Sequence, residues 1–194
     1  IFVPTLQEIY PDGLKIDVKA GPVAKWFEGA SRPGHFDGVA TVVARLFRIV
    51  KPDVAIFGEK DYQQLLVIKE MTQRLGLPVE IIGHRTVRTD EGVAMSSRNA
   101  LLSPKGYKTA CAIPQALNAC QKLFAGGERS AAVLEDHLKA ELEKATSLKV
   151  DYARVVDAET LETLKTIERP AVVLVAVFVE QVRLIDNVVL NPID

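Results

Sequence analysis

The chain has 194 residues, 48% of them hydrophobic and 25% charged, with 24 basic side chains against 25 acidic ones. These globular values exclude a disordered or fibrous chain, and the near-cancellation of charge excludes a general nucleic-acid binder, whose affinity would come from a basic face. No apolar run approaches the ~20 residues that span a bilayer, and Ile1-Phe2-Val3-Pro4 lacks the charged-then-apolar order of a secretory leader, so the expected partners include no membrane and the expected location is cytoplasmic.

Because the first residue is not Met and opens in mid-pattern, a fragment is expected. The first element is a helix carrying Val39, Val42, Val43, Leu46, Phe47 and Val50 as one apolar stripe and ending before Pro52. Asp53 to Phe57 reads as a short buried strand running into a turn at Gly58. A helix follows from Asp61 to Leu75, with Leu65, Ile68, Met71 and Leu75 inward, Gly76 as its stop and Pro78 behind it. Val79 to Ile82 is the next strand. Strand, turn, helix and strand in this order imply a parallel crossover unit, in which ligands bind beyond the carboxyl ends of the strands, where Gly58 to Asp61 falls.

The pattern changes near Leu102-Ser103-Pro104, which sets expected domains at 1–102 and 103–194. Ser103 and Pro104 open a helix as N-cap and first residue, Pro114 breaks or kinks it, and Gly126-Gly127 ends it. Cys111 and Cys120 lie on opposite faces of such a helix at about 100° per residue, so they read as buried thiols rather than a bridge. Leu134, Leu138 and Leu142 line the inner face of a helix from about Ser130 to Ala145. Strands are expected at Val150–Val156, Ala171–Val179 and Val182–Ile185, the last two joined by Glu180-Gln181 in a hairpin whose turn lacks the usual Gly or Asn. The fold class is therefore α/β, a parallel-stranded first part followed by a small α+β domain.

Two polar loops carry candidate chemistry. In Gly58-Glu59-Lys60-Asp61, glycine admits a ligand close to the backbone, Lys60 offers a point charge for phosphate, and the following helix start adds amide donors. A structural alternative is a capping box formed by Asp61 with Gln64. In Met95-Ser96-Ser97-Arg98-Asn99, two hydroxyls and a guanidinium fork suit phosphate and would stabilise charge on a leaving pyrophosphate; the alternative is an ordinary Ser-rich loop. Taken together, the loops point to an ATP-using enzyme.

Four stretches, Glu28–Phe36, Phe57–Gln64, Met95–Asn99 and Arg183–Asn187, resemble the signatures of the pantothenate synthetase (pantoate–beta-alanine ligase) family. The resemblance implies a partial Rossmann-like nucleotidyltransferase domain, with Met95–Arg98 similar to the family's KMSKS-type loop, followed by a C-terminal lid hinged near Asp90-Glu91-Gly92. It implies an enzyme of pantothenate biosynthesis, on the route to coenzyme A, that makes pantoyl adenylate from ATP and pantoate, releases pyrophosphate, and passes the acyl group to beta-alanine. The residues implied to bind ATP are Gly58, Glu59, Lys60, Asp61, Val87, Met95, Ser96, Ser97 and Arg98. Of these, Lys60, Ser96, Ser97 and Arg98 take the catalytic part, and Gln64 binds pantoate. Mg2+ would bridge phosphates without a protein metal site, and the full-length protein would be a homodimer.

The family's His-x-Gly-His segment has no counterpart here. His35, His84 and His137 do not share its spacing, although His35 is placed either at the border of the pantoate pocket or in a structural loop. The fragment alone is therefore expected to show no turnover. A different class I nucleotidyltransferase and a non-catalytic lid or dimerisation module are the alternative readings, and the ending Asn191–Asp194 leaves room for a further domain such as a cytidylate kinase.

Overall fold

The structure, a computed structural model, describes residues 1–192; the final two positions lie outside the described residues. The chain forms two compact units, Ile1–His84 and one beginning at Arg85. Residues 85–102, which the sequence pattern assigns to the first domain, are bonded to elements of the second unit, as described below.

The first unit opens with two single-turn helices, α1 (Leu6–Ile9) and α2 (Glu28–Ser31), before α3 (His35–Val50). Gly34, at φ 78°, adopts the left-handed conformation that lets the chain enter α3. Then come β1 (Val54–Gly58), α4 (Tyr62–Arg74) and β2 (Glu80–His84). β1 and β2 pair in parallel from Val54↔Glu80 to Gly58↔His84, as the crossover pattern requires. Gly76 terminates α4 at φ 59°.

Two expectations for this unit are corrected. The face α3 buries runs through Phe36, Ala40, Thr41, Ala44 and Phe47, while Val39, Val42, Val43 and Leu46 are half-buried and Val50 is exposed. Small residues at Ala40 and Ala44 allow close approach on that face, and Thr41 Oγ1 accepts from the amide of Val18 at 3.1 Å, binding the preceding segment to it. An apolar stripe too wide for one contact hid which side faces in. β1 is also not buried on both faces: Phe57 meets Phe47 edge-on at 6.3 Å, but Val54 and Ile56 are exposed, Ile56 at 65%. On α4, Leu65, Ile68 and Met71 are buried as expected, whereas Leu75 is half-buried at the helix end.

The second unit holds α5 (Pro104–Ala110), α6 (Ala112–Ala125), α7 (Ala131–Glu143) and the strands β3 (Leu148–Asp157), β4 (Ala171–Val179) and β5 (Val182–Leu190). The strands form an antiparallel meander in the order β3-β4-β5. β4 is central and almost wholly buried, and Leu134, Leu138 and Leu142 of α7 join its core without measurable exposure. Ser103 caps α5 by accepting from Gly106 N at 3.0 Å, with Pro104 at the first position. The break between α5 and α6 comes at Cys111, placing Pro114 in the first turn of α6, where its missing N–H costs no helical bond. Cys120 is buried and Cys111 half-buried, and both are free thiols.

β5 outruns its expected end at Ile185 by reaching Leu190. Asp186 and Asn187 interrupt the apolar pattern, yet both are buried. At the β3 bulge the register shifts between Val150 and Tyr152, and Arg183 of β5 donates from Nε and Nη2 to Asp151 Oδ2 at 3.0 and 2.9 Å.

Candidate active site

The first polar loop sits where a parallel crossover unit presents ligands. β1 ends at Gly58, a 3-10 turn spans Glu59–Asp61, and α4 starts at Tyr62. Gly58 has an ordinary φ of −70°, and a Cβ added there would meet no atom within 4 Å. Lys60 keeps 19% of its side chain exposed, with Nζ 3.8 Å from Asp61 Oδ1. The Glu59 side chain lies over β2, where a Cβ on Gly83 would come within 3.0 Å of its Oε1.

The capping-box alternative fails: Asp61 makes no side-chain cap bond to α4. The helix grows out of the 3-10 turn, and Asp61, at ψ 61°, lies beside Lys60 instead. Gln64 is half-buried in the first turn of α4.

Its neighbour Gln63, which sequence reasoning missed, is buried and organises the adjoining segment. Its Oε1 accepts from Glu28 N at 3.0 Å, and its Nε2 donates to the carbonyls of Val23 and Trp26, both at 2.7 Å. The only signal available was the Gln-Gln pair itself, since two adjacent first-turn residues point in different directions and one must turn inward. His35 begins α3 with Nε2 3.1 Å from Arg32 Nη1; burial and that guanidinium hold its pKa below the usual histidine value.

The second polar loop belongs to the second unit and has its own scaffold. Residues 87–95 form a small hairpin: Met95 N donates to Val87 O at 2.9 Å, Thr89 N to Val93 O at 2.9 Å, and Gly92 N to Thr89 O at 2.8 Å. The Met95–Val87 bond sets two exposed apolar side chains side by side, at 56% and 58% exposure. Directly beyond them Ser96 caps a 3-10 turn, Ser97–Leu101, by accepting from Arg98 N at 3.2 Å. Asn99 returns to the hairpin, its Nδ2 donating to Ala94 O at 3.1 Å. A small apolar shelf thus leads straight into two hydroxyls and a guanidinium.

The Asp90-Glu91-Gly92 turn, expected as a hinge, carries three hydrogen bonds around it. Arg88 Nη1 donates to Gly92 O at 2.9 Å, and the Tyr107 hydroxyl lies 2.9 Å from Thr89 Oγ1 and 3.1 Å from Glu91 Oε2. Gly92 itself is at φ 87°, a turn conformation that glycine adopts without strain.

A parallel β–α–β unit with a cation-bearing turn at a strand's carboxyl end, and an antiparallel α+β unit with its own polar loop, make this an α/β protein that presents one polar loop in each unit. The family model for pantoate-beta-alanine ligase matches residues 1–189, and the chain belongs to that family. Pantothenate synthetase of Moorella thermoacetica is 44% identical over 191 residues, a match covering 98% of this chain and 68% of that protein. Among solved structures, pantothenate synthetase from Thermus thermophilus superposes with a TM-score of 0.92 at 44% identity, over 98% of this chain and 69% of that one. Pantoate-beta-alanine ligase from Francisella tularensis, solved with beta-gamma ATP and beta-alanine, gives a TM-score of 0.65 at 31% identity, over 94% and 61%.

Proposed function

We propose that these residues carry the ATP-dependent condensation of pantoate with beta-alanine by way of pantoyl adenylate. The observation that carries this reading is the Val87–Met95 shelf running directly into Ser96, Ser97 and Arg98, an apolar seat for a base followed by donors for phosphates. The ATP and beta-alanine of the Francisella complex support the same substrates.

In the first step a pantoate carboxylate oxygen bonds to the α-phosphorus of ATP as the bond to the bridging oxygen of pyrophosphate breaks. In the second, the beta-alanine amine attacks the acyl carbon, AMP leaves, and the amine gives up a proton. Neither step needs a protein nucleophile. Lys60 and Arg98 offset the charge on the departing pyrophosphate, and the Ser96 and Ser97 hydroxyls donate hydrogen bonds to it. Gly58, Glu59 and Asp61 bind ATP, and Gln64 orients pantoate. Ser96 Oγ already accepts from Arg98 N, so its own proton is the one it gives.

Among the described residues no three His, Cys, Asp or Glu side chains gather as a metal site. The resemblance carries Mg2+, which would enter with ATP and help neutralise its phosphate charge. The resemblance also carries a cytoplasmic homodimer and a lid role for the C-terminal part. Because His35, His84 and His137 are dispersed, we infer no turnover from the 194 residues alone. Titration calorimetry with ATP tests the site: Lys60→Ala and Arg98→Ala are each expected to weaken binding about tenfold, and a chain that binds no ATP overturns the reading. Pantothenate formed by the purified chain from ATP, Mg2+, pantoate and beta-alanine would overturn the inference of inactivity.

A further inference from the structure

Asp186 is a buried carboxylate on β5 with its side chain 2% exposed, in the stretch Arg183–Asn187 to which neither the resemblance nor the proposed chemistry gives a task. Both of its oxygens are engaged. Arg88 Nη1 donates to Oδ2 at 2.7 Å, Arg88 Nη2 donates to Oδ1 at 2.9 Å, and Asn187 N donates to Oδ1 at 2.8 Å. The guanidinium is thus held in a two-point fork, the geometry that fixes direction as well as distance. Its remaining reach goes to Gly92 O at 2.9 Å and Asn187 O at 3.4 Å.

From Arg88 the connections lead in one direction. Arg88 bridges Ala94 across the small hairpin, Ala94 O accepts from Asn99 Nδ2, and Asn99 lies in the 3-10 turn that carries Ser97 and Arg98. Val93 and Ala94, on the same limb, are buried, while Met95 and Leu101 are exposed. The loop is thus exposed at Met95, Ser97 and Arg98 and half-buried at Ser96, while the hairpin that carries it is bonded to the buried Asp186 carboxylate.

We propose that Asp186 is a positioning residue for the Ser96–Arg98 loop, acting through the Arg88 fork. The proposal rests on the nucleotide reading of that loop. Removing the fork frees the hairpin limb to tilt, carrying the hydroxyls and the guanidinium of Arg98 away from the positions in which they meet phosphate together.

Amide hydrogen exchange and 1H–15N spectra of the 194-residue chain test it. In Asp186→Asn the Met95 and Arg98 amides are expected to shift and to exchange about tenfold faster, while Val173 and Val175 of β4 keep their protection. Arg88→Lys, which keeps the charge and loses the fork, should not restore the wild-type loop spectrum. Should Asp186→Asn fail to fold, the double variant Arg88→Met with Asp186→Leu gives the same readouts, since an apolar pair can replace a buried ion pair without loss of the fold. Unchanged shifts and exchange over 87–99, or a loss of protection spread evenly over β3 to β5, would overturn the proposal. ATP titration separates it from the reading beneath it. Arg98→Ala without effect on ATP affinity fails the nucleotide reading alone. An Arg98→Ala effect with wild-type affinity in Asp186→Asn fails the positioning role.

Discussion

Glu180, at the tip of the β4–β5 hairpin, places its carboxylate on Ser103, the residue that starts α5. Its Oε2 accepts from Ser103 N at 3.2 Å and its Oε1 accepts from the Ser103 hydroxyl, which in turn accepts from Gly106 N. Hydrogen bonds from the Ser103 hydroxyl and amide hold the Glu180 pKa below the usual carboxylate range. Glu180 reaches this position from a left-handed backbone at φ 56°, which explains how the hairpin closes without Gly or Asn.

The same contact occupies the space a side chain at Gly106 would need, since a Cβ there would lie 2.7 Å from Glu180 Cδ. Gly106→Ala should therefore destabilise the chain by pushing the carboxylate off Ser103. In a Glu180→Ala background the same substitution should reverse sign and stabilise by about 0.5 kcal/mol, the helix preference of Ala over Gly. Urea denaturation of the four proteins measures the cycle, and equal effects in both backgrounds would show that the two residues are uncoupled.

Gln63→Leu keeps roughly the volume of the side chain but leaves Glu28 N and the carbonyls of Val23 and Trp26 without their bonds. A loss of about 2 kcal/mol is expected. The single tryptophan, Trp26, lies in the affected segment, so its fluorescence should report the lowered transition directly. An unchanged midpoint would mean that water replaces Gln63 at little cost.

Asp157 supplies the pH dependence. Burial raises its pKa, but the Thr160 amide, Arg169, the Glu159 amide and the Thr160 hydroxyl together outweigh that effect and bring it from 3.8 to about 2. A carboxyl with a lowered folded pKa contributes stability above its unfolded value and loses it as pH falls through the folded one. The wild-type chain should thus lose about 2 kcal/mol between roughly pH 4 and pH 2 through this group. Asp157→Asn should flatten that part of the profile, as measured by denaturation at a series of pH values.

The two thiols should be distinguishable. Burial pushes Cys120 up to about 11, and burial followed by the Glu91 charge raises Cys111 to a smaller extent. With a thiol reagent at neutral pH, Cys111 should modify slowly in the folded chain and Cys120 only on unfolding. Equal rates for the two would contradict the burial of Cys120.

What was legible in the sequence followed local rules. Ser103-Pro104, Gly76 and the Leu134, Leu138 and Leu142 stripe announce their elements because each acts within a turn or two of itself. Lys60 could be placed at the carboxyl end of a strand because parallel crossover units leave little choice. Asp186 was opaque: a polar residue in a strand reads as its end, and the partner that makes it tolerable, Arg88, is 98 positions away. The inward face of α3 was hidden because its contacts are made by Ala40 and Ala44, whose weak hydrophobicity is outvoted by the flanking valines. Gln63 and Gln64 are chemically identical, and only the segment folded against one of them tells them apart.

Gly58 separates two demands that usually coincide. With an ordinary φ and open space where a side chain would go, the folded chain would accept alanine at that position without rearrangement. Gly58→Ala is thus nearly silent toward architecture, and any defect it causes measures how closely an incoming molecule must approach the main chain at the end of β1.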